Sequence, residues 1–98
     1  MIRVAEMSIV AVSRGGAVRA LVTRNPEDER EWTEFMREAV SAASRFPFDV
    51  FVATEQFEGE WSVGPADAEG VGPFRFVDAP DAETAVFRCH VDGEYEPF

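Results

Sequence analysis

Between Asn25 and Phe46 apolar residues recur at Trp32, Phe35, Met36, Ala39, Val40, Ala43 and Phe46, the i, i+3, i+4, i+7 spacing of one helical face. Arg30, Glu31, Glu34, Arg37, Glu38, Ser41 and Arg45 occupy the opposite face, so the pattern predicts an amphipathic helix with one buried stripe. Asn25 as N-cap, Pro26 at the first helical position and Glu27, Asp28 and Glu29 against the dipole mark its start. Pro47 biases Phe46 away from helical angles and marks its end. A coiled-coil seam would also step by four and three, but Phe35 and Val40 widen the stripe beyond one.

The remaining segments read as strands. Ile2 to Val12 alternates at first and then becomes apolar towards both faces through Ile9, Val10, Ala11 and Val12. Ser13 to Gly16 supply a tight connection, and Val18, Ala20 and Val22 alternate with Arg19 and Thr23, which predicts a β-hairpin. Phe48 to Phe57, with Val50 and Val52 opposite Phe51 and Ala53, predicts a central strand. Glu58 to Glu60 turn the chain into a short strand at Trp61 to Val63, and Gly64 to Pro73 read as a loop. Phe74 to Val77 and Thr84 to Val91 complete the set, the latter with Ala85, Phe87, Cys89 and Val91 facing inwards. Pro97 keeps the tail out of a central position.

The expected fold is α+β, a single amphipathic helix packed on a mostly antiparallel sheet of about five strands in ββαβββ order, forming one domain over residues 1–98. A helix about 10 Å wide shields two or three strands spaced about 4.8 Å apart. The strands ending at Val12 and centred on Val52 are apolar on both faces, so a second face is left to be covered. The expectation is a homodimer or a partner on that uncovered face, with a curled sheet or the 64–73 loop as the other covers.

Charge changes the picture by its placement. Residues 1–48 carry seven acids and seven Arg, a balance of zero, while residues 49–98 carry twelve acids against Arg75 and Arg88, so the second half holds the whole excess of −10. This argues against electrostatic binding to nucleic acid or an anionic membrane surface, each of which needs clustered cations, and suits a basic protein partner. One cysteine allows no intramolecular disulfide, and the longest early apolar run, Met7 to Val12, is too short to span a bilayer. A cytoplasmic location is expected.

No motif for chemistry withstands its geometry. Cys89 and His90, adjacent on a predicted strand, would point to opposite faces and could not pair. Neither Asp67, Glu69 and Gly70 nor Asp78, Asp81 and Glu83 has the ligand spacing of a calcium loop, and two His or Cys residues cannot make a zinc site. Gly70-Val71-Gly72 leads into Pro73 and a strand, not into the helix that a phosphate loop needs. Arg14-Gly15-Gly16 reads as a turn. Glu6, Asp49, Thr54 and Arg75, polar residues within apolar segments, read as edge or surface positions. No cofactor or metal is expected.

The functional expectation is a small, acidic, non-enzymatic binding protein of the inhibitor, immunity or antitoxin type. Its contact set would be Glu55, Glu58, Glu60, Trp61, Asp67, Glu69, Asp78, Asp81 and Glu83, with aromatic residues as anchors. The alternatives are a small-ligand-binding protein or small enzyme with a cavity between helix and curved sheet, lined by Asp49, Arg75 or Glu55, and a structural subunit of a larger assembly.

Overall fold

A computed structural model describes residues 6–91, Gly93 and the backbone of residues 96 and 97; Met1 to Ala5, the start of the first predicted strand, lie outside the described residues. The hairpin forms as expected. Strand β1 (Met7–Val12) pairs antiparallel with β2 (Val18–Arg24), and Gly16 adopts φ 84° in the connection. A bulge in this pairing sets Ile9 opposite Val22 but Val10 opposite Ala20. The extra residue, Leu21, is exposed, and the simple alternation of Val18, Ala20 and Val22 is broken: Val22 packs on one face of the sheet, Val18 and Ala20 on the other.

Helix α1 spans Glu29–Arg45, and its N-cap is Asp28, not Asn25. Asp28 Oδ1 accepts from the Glu31 amide at 2.9 Å, and Glu31 Oε2 accepts in return from the Glu27 amide at 2.6 Å. The Glu31 carboxylate thus reaches the amide just before the N-cap, one residue short of a capping box, and Pro26 is left ahead of the helix. At the far end Phe46 is extended at φ −110°, as expected of a residue before proline. The buried stripe is narrower than the periodicity predicts. Phe35 and Ala39 are fully buried, Met36, Val40 and Ala43 partly so, and Trp32 and Phe46 are each 41% exposed.

The central strand β3 (Asp49–Phe57) lies between β1 and β4 (Glu60–Asp67). Strand β4 is longer than predicted: it runs through Gly64 and Pro65, which the sequence reading assigned to a loop. Two short strands, β5 (Gly70–Val71) and β6 (Arg75–Asp78), follow one another along its outer edge, separated by a cis Gly72–Pro73 bond. Glu96–Pro97 form β7 beside β6, at the edge of an antiparallel sheet ordered β2-β1-β3-β4-β6-β7.

The largest departure lies in Thr84 to Val91, which is helical and not a strand. Helix α2 (Ala82–Val86), capped by Asp81, continues directly into a π-helical turn (Phe87–Val91). Ala82, Ala85, Val86 and Cys89 are buried, while Phe87 and Val91, inward on the strand reading, are exposed. This second helical segment explains the two-faced strands. Met7, Ile9, Val50 and Val52 pack under α1, whereas Val10, Val12, Phe51, Ala53, Trp61 and Val63 pack under α2 and the π turn. Much of the face expected to remain uncovered is thus buried by the chain itself. No helix of the described residues is long and apolar enough to cross a membrane.

Candidate functional site

The expected contact set divides between the two ends of β4. Glu60 begins that strand and Asp67 ends it, so the seven intervening steps separate them by about 23 Å. Six acids gather at the Glu60 end. Glu55 closes the β3–β4 turn by accepting from the Gly59 amide, Glu58 lies in the turn, and Glu60 stands opposite Asp78 in the β4–β6 register. The Ala79 amide donates to the Gly59 carbonyl at 2.9 Å, which draws the chain before α2 against that turn. Asp81 and Glu83 follow directly; Asp81 Oδ1 caps α2 by accepting from the Thr84 amide at 2.7 Å.

Trp61 does not belong to this surface. It is 1% exposed, and its indole N–H donates to the Ala79 carbonyl at 3.0 Å inside the core. The aromatic that is offered instead is Phe57, 67% exposed, which a bulge after Glu55 sets opposite Glu60. Phe57, Glu60 and Asp78 therefore follow one another across three strands. Like charges directly opposite on a sheet repel, and among the described residues none of the ion pairs involves Glu58, Glu60, Asp78 or Glu83. Arg88 reaches this end, but its Nη1 donates to the Asp78 carbonyl at 2.7 Å. Phe57 was legible as an apolar residue beside acids, yet its exposure follows from the bulge, which has no sequence signal here.

Asp67 and Glu69 belong to the opposite end. Asp67 Oδ1 accepts from the amides of Glu69 and Gly70 at 2.8 and 3.2 Å, so it shapes the β4–β5 turn. Beside this turn is an open cleft of about 520 Å³ between the ends of β3 and β4 and the π turn. Phe51, Val63, Pro65 and Cys89 give it an apolar interior, and Asp49, Asp67, Arg75 and His90 give it polar groups. The cleft opens at the end of the sheet, with Ala43 and Ser44 of α1 and Phe48 on one side and Cys89 and His90 of the π turn on the other.

Cys89 and His90, here in one helical turn, still diverge: Cys89 is buried and His90 exposed. The His90 ring lies 4.5 Å from that of Phe51, with Nε2 3.6 Å from Asp49 Oδ2. Burial pushes the Cys89 thiol above its ordinary value, opposed by the nearby Arg75 guanidinium. A protonated, enclosed thiol is a poor nucleophile. Of the other polar residues singled out in the sequence, Thr54 is buried, Arg75 is exposed on β6, and Glu6 is half-buried, its carbonyl accepting from the Glu55 amide at 2.9 Å. No family model, no curated protein and no solved structure matches this chain.

Proposed function

We propose that this protein is a small binding protein that docks a basic protein partner on the β3–β4 turn end of its sheet, with Phe57 as the apolar anchor. The observation that carries this reading is the register that sets a two-thirds exposed Phe57 opposite Glu60, and Glu60 opposite Asp78. An exposed aromatic ring gains from desolvation against a partner, and the surrounding acids steer a cationic surface towards it. A guanidinium over the ring would also find its face and two carboxylates together. Occupation of a basic target in this way is the mode of action of an inhibitor, immunity protein or antitoxin. Asp67 and Glu69, at the far end, take no part.

The test is binding to a basic protein captured from the native host and then purified. Phe57→Ala should weaken binding by roughly tenfold or more, as expected of an anchor. Glu60→Arg should slow association, and raising salt from 50 to about 500 mM, which shortens the screening length several-fold, should do the same. Affinity unaffected by Phe57→Ala and by salt would overturn the reading.

A further inference from the structure

The cleft at the other end of β3 and β4 is a second site, independent of the acidic docking end. We propose that it binds a small organic amine, with the apolar body on Phe51, Val63 and Pro65 and the ammonium between Asp49 and Asp67. Its volume of about 520 Å³ lies within the roughly 300–1,000 Å³ of small-molecule sites, and its interior is apolar with a few polar groups at fixed places.

The placement of charge selects the ligand class. The β3–β4 ladder ends at Val50 opposite Ala66, and Asp49 and Asp67, each one residue beyond that rung, both line the cleft. Two carboxylates at one end of the cleft repel one another. An ammonium between them relieves that repulsion. The His90 imidazole, 3.6 Å from Asp49, leaves Asp67 without a cation of its own among the described ion pairs. Arg75 lines the cleft beside Cys89 and has interactions of its own, so an anionic ligand would meet two carboxylates at the mouth and a guanidinium already engaged. The net charge of −10 favours the approach of a cation over that of an anion.

The probe is 2-phenylethylamine, titrated into the full chain and followed by amide chemical shifts and calorimetry. Phenylacetate, with the same ring and the opposite charge, is the control. The amine is expected to saturate with Kd about 1 mM or tighter, in keeping with so small a ligand, and to shift residues of the cleft. Asp49→Asn and Asp67→Asn should each weaken it at least about tenfold, the loss expected of a charge-assisted contact. Asparagine keeps the Oδ1 acceptor that shapes the β4–β5 turn, and circular dichroism checks that each variant is folded. Glu60→Gln, at the acidic end, should leave amine binding unchanged, which separates this site from general charge attraction. Phenylacetate binding as tightly as the amine, amine binding indifferent to both Asn substitutions, or no saturation by about 20 mM would each overturn the proposal.

Discussion

The indole N–H of Trp61 donates to the Ala79 carbonyl at 3.0 Å, and this buried bond ties β4 to the turn from which the second helical segment departs. Trp61→Phe removes the donor, strands a buried carbonyl and leaves space behind. A loss of about 2 to 4 kcal/mol is expected in urea denaturation. The same variant should lose the blue-shifted part of the tryptophan emission, since Trp32 is the more exposed of the two indoles.

The ring of Phe74 lies where a side chain on Gly64 would stand, with ring carbons 2.7 Å from an ideal Cβ. Gly64→Ala must displace that ring and should cost about 1 to 3 kcal/mol. In a Phe74→Ala background the same substitution should cost markedly less. Equal costs in the two backgrounds would show that the ring is not the obstacle.

Phe35 and Trp32 sit on the predicted apolar stripe of α1 but are 1% and 41% exposed. Phe35→Ala is expected to cost about 3 to 5 kcal/mol, and Trp32→Ala clearly less, because the half-exposed indole loses less buried surface. Chemical denaturation of the two variants decides it, and similar losses would contradict the narrow buried stripe of α1.

Helical and extended readings of residues 84–91 make opposite predictions for two neighbours. Val86 is buried and Phe87 is 40% exposed, so Val86→Ala should destabilise by about 2 kcal/mol and Phe87→Ala by less, although phenylalanine is the larger residue. The reverse order in thermal or urea melts would restore the strand.

Burial raises the Cys89 thiol above its ordinary value of 9.0, so the folded state holds its proton more firmly than the unfolded chain does. The stability this contributes is present below pH 9.0 and is lost as pH rises through the folded value. Cys89→Ala should therefore flatten the fall in stability above about pH 9. Alkylation of the native thiol at pH 8 should be slower than that of the urea-unfolded chain by about tenfold or more. Equal rates would place the thiol at the surface.

What the sequence by itself determined lies within short stretches of chain. The Gly16 turn, the central position of Val50 to Phe57 and the helix that buries Phe35 and Ala39 follow from local periodicity and turn chemistry, which act over four or five residues. The cap at Asp28 is legible too, through the Asp-x-x-Glu spacing to Glu31, although Asn25-Pro26 offers a competing start three residues earlier.

Only the tertiary structure decided the rest. Residues 82–91 match both periods: Ala85, Phe87, Cys89 and Val91 alternate, while Ala82, Ala85, Val86 and Cys89 follow a helical face. Local preference does not choose between these. The choice is made by the apolar second face of the sheet, which this segment covers by folding as a helix capped by Asp81. The same holds for the candidate sites. Glu60 and Asp67 are seven residues apart and lie at opposite ends of a strand, whereas Glu60 and Asp78, eighteen apart, stand side by side because antiparallel pairing brings them there. Which acids stand side by side is a property of register, and register is fixed by the burial of both sheet faces at once.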